Sequence, residues 1–257
     1  DFPFPVDPPF SPEDNPVGDY SRRFTCPKSW LSQGGQVRLR FEGVESQIIV
    51  WVNGQWIGMA RGSRLAHEFD VTQMLVPDEN TVTLRVHQFS AGSYLEDQDQ
   101  WWLPGVFRSV SLRYLPDFSI EDLWVNTDYK AGQGFTTLEL RVRGAQSETL
   151  EASLDIEGLG ASVLTLSRGE DGRYRSESIG LGNVEPWSPQ SPKLYVARVQ
   201  AVGEGGRLTE ERHLRLGFRR VKIVDGVLHA NGQPLMLNGV NRHEIRADEG
   251  RVFSEEF

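Results

Sequence analysis

Ile48-Ile49-Val50-Trp51-Val52-Asn53-Gly54-Gln55-Trp56-Ile57-Gly58 is the stretch whose reading decides the fold. Its first five residues are apolar on both faces of an extended chain. The Asn-Gly pair that follows is the one best suited to the positive φ angles of a type I′ turn. The stretch predicts a hairpin whose first strand lies inside a sheet. On either side of it the period is two. Val37, Leu39 and Phe41 alternate with Gln36, Arg38 and Arg40; Val82, Leu84 and Val86 alternate with Thr81, Thr83, Arg85 and His87, as half-buried antiparallel strands do. Almost no segment holds a helical period over three turns, and 26 Gly, 14 Pro and 7 Trp in 257 residues suit strands and turns. The expectation is an all-β chain.

The pattern pauses at Leu115-Pro116-Asp117, and a second series begins: Leu138, Leu140 and Val142, then Ala152, Leu154 and Ile156, then Val163 to Leu166, broken by Asp171-Gly172. Short strands at this spacing, closing with Tyr195, Ala197 and Val199 and then His213 to Leu216, predict an immunoglobulin-like sandwich. The single cysteine, Cys26, rules out a disulfide between its sheets. From Gly217 the texture changes again. Asp225-Gly226 and Asn231-Gly232 delimit a small hairpin that feeds the apolar run Leu235-Met236-Leu237, read here as a strand opening a third module. The expected organisation is a sandwich over 1–116, an immunoglobulin-like sandwich over 117–219, and the beginning of something new over 220–257.

Composition narrows the class of function. A length of 257 residues accommodates two cores, and 38 % hydrophobic with 25 % charged residues is ordinary for a folded, soluble protein. The net charge of −9 argues against nucleic acid and anionic membranes as partners, and no apolar run approaches the ~20 residues of a spanning helix. One cysteine fits a reducing cytoplasm better than secretion. The first residues lack an initiating Met and a basic leader, and the last carry no stop, so the chain reads as an excerpt of a longer one. The histidines show no metal-ligand spacing, no Gly-rich loop joins a buried strand to a helix, and no G-x-S-x-G elbow is present.

Two polar clusters could carry chemistry. In Tyr94-Leu95-Glu96-Asp97-Gln98-Asp99-Gln100, followed by Trp101 and Trp102, carboxylates and an amide interleave with aromatics. Sugar sites are built this way, because hydroxyls seek ionised acceptors while pyranose faces stack on indoles. Oxygen-rich loops also hold hard cations. The plain alternative is a solvated acidic turn with one of the two Trp in the core. The second cluster is Asn238-Gly239-Val240-Asn241-Arg242-His243-Glu244, directly after the run 235–237 read as a strand. If that strand opens a (β/α)8 barrel, His243 and Glu244 lie on the face where barrel active sites are built. Without a barrel, the cluster is a polar loop.

The letters resemble the β-galactosidases of glycoside hydrolase family 2. The resemblance rests on Val6-Asp7-Pro8-Pro9-Phe10, Asn15-Pro16 through Tyr20, the hairpin Trp51 to Gly58, and Gly92-Ser93-Tyr94-Leu95-Glu96-Asp97-Gln98-Asp99. It continues through Trp102, Gly105-Val106-Phe107-Arg108, Trp187-Ser188, Gly217-Phe218-Arg219 and Gly239 to Glu244, nearly the whole chain in order. It implies a jelly-roll, galactose-binding-like β-sandwich, an immunoglobulin-like β-sandwich and the start of a (β/α)8 TIM barrel. It also implies that Asp99 both ligates sodium and binds the galactosyl hydroxyl at C6, and that His243 contacts the galactosyl group, whereas Asp97, Trp102 and Glu244 shape the motifs. A retaining mechanism with two glutamates is implied, both further along the barrel, together with magnesium and the remaining sodium ligands. This stretch alone is then inactive. Family members are frequently oligomeric, which implies a homo-oligomer.

β-Glucuronidases and β-mannosidases of the same family share the barrel-start signatures and stand as alternatives. The acidic stretch Glu96 to Asp99 favours a neutral galactoside, since a carboxylate there repels a uronate. A free carbohydrate-binding module is a further alternative, against which the Asn-Arg-His-Glu signature argues.

Overall fold

A computed structural model describes residues 7–96, 102–203, 208–243, 245–248 and 250, and its architecture is almost entirely β. The chain divides into two compact units, Asp1–Pro116 with Val240–Phe257, and Asp117–Gly239. Among the described residues, no helix is long and apolar enough to cross a membrane.

The first unit contains β1 (Val17–Cys26), β2 (Gln36–Phe41), β3 (Val44–Glu45), β4 (Gln47–Val52), β5 (Gln55–Arg61), β6 (His67–Asp70), β7 (Asp78–His87), β8 (Gly105–Val106) and β9 (Val110–Leu115). One sheet runs β1-β7-β4-β5, another β6-β2-β9, and β3 pairs with β8. Strand β4 lies between β5 and β7, as its two-faced apolarity requires. Ile48, Val50 and Val52 are buried and share one core with Val37, Leu39 and Phe41 of β2 and Val82, Leu84 and Val86 of β7. The turn has φ of 51° at Asn53 and 79° at Gly54, the left-handed pair that a type I′ turn demands. Asn53 adds side-chain bonds that fasten the hairpin to its neighbours: its Nδ2 donates to Met74 O and Asn80 Oδ1, and its Oδ1 accepts from Thr81 N, each at 2.8 Å.

The second unit contains β10 (Ser119–Lys130), β11 (Gln133–Arg143), β12 (Thr149–Ile156), β13 (Gly160–Arg168), β14 (Tyr174–Ser176), β15 (Ile179–Asn183), β16 (Tyr195–Val202) and β17 (Leu208–Leu216). The hydrogen-bonded path runs β10-β11-β14-β13-β12-β16-β17, with β15 also on β11. Its ends meet: Arg212 donates to Ile120 O at 3.0 Å, and Thr127 Oγ1 to Gly217 O at 2.8 Å, so the strands wrap a single core containing Leu138, Leu140, Leu154, Ile156, Leu166 and Phe218. A Cβ on Gly134 would stand 2.6 Å from Val184 Cγ1 and 3.1 Å from Phe218 Cδ1, so only glycine lets β11 approach that closely.

A three-stranded meander follows, β18 (Val221–Val224), β19 (Val227–Ala230) and β20 (Gln233–Pro234). Both turns foreseen from Asp-Gly and Asn-Gly are present, with φ of 49° and 78° at Asp225 and Gly226 and of 53° and 82° at Asn231 and Gly232. The meander is seated on the second sandwich. Arg220 N donates to Asn231 Oδ1 and Asn231 N to Arg220 O, both at 2.8 Å, while Asn231 Nδ2 reaches Trp187 O at 3.0 Å. Arg220 also forms a two-armed ion pair with Asp128 of β10, its Nε donating to Oδ1 at 2.7 Å and its Nη2 to Oδ2.

One expectation is corrected. Leu235-Met236-Leu237 is not a strand: it follows β20 without regular structure, with Met236 80 % and Leu237 77 % exposed. A barrel strand is held by hydrogen bonds to parallel neighbours in the same barrel. Among the described residues this run has no such neighbour.

Candidate functional site

The site expected from sequence lies in the chain between β7 and β8, and the structure shows how both flanks of that segment are built. Asn15 bonds reciprocally to the backbone of Phe89, Nδ2 donating to Phe89 O and Oδ1 accepting from Phe89 N, both at 2.9 Å. Ser90 and Ser93, both buried, form the turn that starts the helical stretch Ser93–Glu96: Ser93 Oγ accepts from Ser90 N at 3.0 Å, and Ser90 Oγ from Gly92 N at 3.2 Å. Tyr94 Oη donates to Phe10 O at 2.7 Å, and burial together with the negative charge of Asp7 raises its phenol above its ordinary pKa. The motifs around Asp7 to Phe10, Asn15 and Gly92 to Glu96, distant in sequence, are thus one construction.

Glu96 is the most committed carboxylate there. Its Oε1 accepts from Ser63 N at 2.9 Å and its Oε2 from Ser63 Oγ at 2.5 Å, and Ser63 is wholly buried. On the far flank, Trp102 stands edge-on to Phe89 with ring centroids 5.5 Å apart. Glu96 and Trp102 line one small cavity with Ser93, Glu45 and Ser46. Its volume of about 10 Å³ is that of a single water and far below a sugar ring. In this cavity both side chains are walls. Pairing of β3 with β8 holds the floor, and Arg108 ties it by donating to the carbonyls of Glu42 and Arg64, each at 3.2 Å. Glu45, 8 % exposed, lies 3.6 Å from the Arg64 guanidinium.

Of the residues expected to bind substrate, Asp99 lies outside the described residues, as do Asp97 and Glu244. His243 is exposed in an irregular segment that belongs to the first unit, the unit that also carries the flanks of the Asp99 segment. The clamp of Ser63 on Glu96 and the reciprocal bonds of Asn15 were missed from sequence. The only signal was the small, turn-like run Ser90-Ala91-Gly92-Ser93, which elsewhere marks nothing more than a turn, and nothing around Ser63 points to the clamp. Among the described residues no group of three His, Cys, Asp or Glu side chains could hold a metal. The described donors do not compose a sodium or magnesium site.

Family models match three consecutive stretches of the chain: the sugar binding domain of glycosyl hydrolases family 2 over residues 1–116, the family 2 domain proper over 118–219, and the family's TIM barrel domain over 221–257. The chain belongs to glycosyl hydrolase family 2. A β-galactosidase of Arthrobacter sp. (strain B7) is 47 % identical over 255 residues, covering 99 % of this chain and 24 % of its own length. One from Pectobacterium atrosepticum is 38 % identical over 269 residues, covering 99 % and 26 %. The chain thus spans about a quarter of the length of these family 2 relatives. A solved β-glucuronidase of Bifidobacterium dentium, complexed with coumarin-3-O-glucuronide, superposes with a TM-score of 0.78 over 93 % of this chain and 46 % of its own, at 21 % identity. At that identity the likeness shows the family 2 fold alone.

Proposed function

We propose that this chain is the substrate-end portion of a retaining β-galactosidase that hydrolyses terminal non-reducing β-D-galactosides such as lactose. The observation that carries the reading is the 47 % identity to a β-galactosidase along 99 % of the chain. Asp99 accepts a hydrogen bond from the galactosyl C6 hydroxyl and contributes one oxygen to a sodium ion, a hard cation suited to carboxylate oxygen. His243 contacts the galactosyl group from the barrel-start segment. Bond cleavage falls to two barrel glutamates about 5 Å apart, one attacking the anomeric carbon and one protonating the leaving oxygen, neither of them among these residues. Magnesium serves the barrel, the working form is a homo-oligomer, and the compartment is the cytoplasm.

What the chain itself contributes is position. The Ser63 clamp on Glu96 and the edge-on packing of Trp102 on Phe89 hold the described residues on either side of the segment that contains Asp99. The test is turnover by the intact protein of an aryl β-D-galactoside beside the matching β-D-glucuronide. Galactoside turnover with negligible glucuronide turnover is expected, and the reverse preference overturns the reading. Asp99→Asn is expected to lower kcat/KM by about 10²-fold and to abolish the response to sodium; an unchanged sodium response sinks the role given to Asp99. The 257 residues alone are expected to show no turnover.

A further inference from the structure

Two cavities on the second sandwich share a wall. Asn126 and Thr127 of β10 line both, and Thr127 Oγ1 donates to Gly217 O at 2.8 Å, which fixes β10 beside the end of β17 at that wall. One cavity, of about 390 Å³, lies over β10 and β11, where Asn126 pairs with Thr137 and Asp128 with Phe135. The other, of about 380 Å³, lies along the seam of β10 with β17, against Arg215, Arg219 and Val221. Both fall inside the volume range of small-molecule sites.

The charges set the class of ligand. Those that line the first cavity are Asp128, Lys130 and Arg220, and those that line the second are Arg215 and Arg219, so four cations face one carboxylate. That carboxylate is taken, because Arg220 engages both of its oxygens. Among the described residues, Lys130, Arg215 and Arg219 form no ion pair. Glu211, on the same face of β17 as Arg215, is occupied by His213 and Gln200. Arg219 rests instead on Trp187, its guanidinium 5.2 Å from the ring centroid, a contact that commits none of its N–H donors to an oxygen.

This excess is opposite in sign to the net charge of −9. At physiological ionic strength, exposed charges more than ~8 Å apart are largely screened, so a ligand seated in the cavities senses these cations first. A long polyanion would also run over the acidic remainder of the surface. Lys130 lies four residues along β10 from the shared wall at Asn126, roughly 13 Å at the rise of a strand, farther than one phosphate or carboxylate extends. A short ligand with several oxyanion groups matches both the charge and the span.

We propose that the two cavities form one groove for a short polyvalent oxyanion, its phosphate or carboxylate groups held by Arg215 and Arg219 at one end and by Lys130 at the other. The groove is independent of which glycosidic bond the intact protein cleaves. The experiment is calorimetric titration of the full chain with inorganic tripolyphosphate, citrate and orthophosphate. Tripolyphosphate is expected to bind at a single site, and orthophosphate, which meets one end only, about tenfold more weakly. Citrate separates the sources: tighter binding of tripolyphosphate assigns the groove to phosphates, and tighter binding of citrate assigns it to polycarboxylates. Arg215→Gln and Arg219→Gln should each weaken the tighter ligand by about tenfold and Lys130→Gln by about threefold, as charge-assisted bonds are lost. All three positions are exposed, so the urea midpoint should stay in place. Arg61→Gln, an exposed cation of the first unit, should leave binding unchanged. Absence of saturable binding by both polyvalent anions overturns the groove. So does binding that survives the combined loss of Arg215 and Arg219, or that falls as far in Arg61→Gln.

Discussion

The two sandwiches reach similar cores by opposite routes. In the second, neighbours in the sequence are mostly neighbours in the sheet: β10 with β11, β12 with β13, β16 with β17, and beyond them β18 with β19. In the first, β1 pairs residues 17–26 with 78–87, β2 pairs 36–41 with 110–115, and β3 meets β8 across some sixty residues. Among the described residues of the first unit, only β4 and β5 form a tight hairpin. In a sandwich of distant pairings the buried face still sets the register, and polar side chains add bonds where no short turn joins the paired strands. The second joins its core to ion pairs mostly between strands that lie side by side, such as Glu139 with Arg173 and Arg175. The first unit accordingly carries the Asn53–Asn80 network, the triple grip of Arg38, Arg40 and Arg113 on Glu68, and the loop anchors of Asn15 and Tyr94.

This contrast can be broken at its strongest points. Phe218, fully buried and edge-on to Tyr195 at 5.4 Å, closes the second core; Phe218→Ala is expected to cost about 3–5 kcal/mol in denaturant unfolding, a loss confined to the second unit. Asn53→Gly keeps the positive φ of the turn yet strands Thr81 N and Met74 O, and should cost about 2–3 kcal/mol. If it cost no more than a surface substitution, the pinning role of polar side chains in the first unit would be wrong. Glu68→Gln should cost about 1–2 kcal/mol, because three guanidiniums lose the charge they converge on. Burial opposes ionisation of Glu68, but hydrogen bonds from Arg40 and Arg38 outweigh it and its pKa is lowered.

The smallest effect distinguishes the units by pH. Asp128 has a folded pKa below its unfolded one, chiefly through the Arg220 hydrogen bond. Its contribution is therefore present above the unfolded carboxylate range near pH 4 and is lost as pH falls through the folded value. The stability gap between the wild type and Asp128→Asn, read from urea midpoints, should be visible at pH 7 and should narrow towards pH 3. A gap that is equal or larger at pH 3 would contradict the ion pair.

Legibility in the sequence followed the same divide. The hairpin of Trp51 to Gly58 and the turns at Asp225 and Asn231 were readable because Asn-Gly and Asp-Gly state both the turn and the strands around it. Strand β10 was not. Its register shifts between Ile120 and Asp122, so Ile120, Leu123 and Val125 serve one core while their spacing breaks the period of two. The turn after it uses Ala131 at φ 49°, a residue that announces nothing. At the site, composition pointed to the segment around Asp99, but the clamp of Ser63 on Glu96 joins residues 33 apart and no local pattern encodes it. The strand foreseen at 235–237 failed for the complementary reason: past the bond of Leu235 N to Leu228 O, the run has no parallel partner among the described residues, and an apolar run alone does not make a strand.

The seat of the meander on the second sandwich also orders events in time. Arg220 reaches Asp128 across 92 residues of chain, and the bonds of Arg212 to Ile120 and Thr127 to Gly217 span 92 and 90. Hairpin β18–β19 can close on its own within microseconds, but its dock does not exist until the strand made first in this domain has met the strand made last. During synthesis the sandwich is therefore complete before the chain that follows the meander acquires a fixed point of departure.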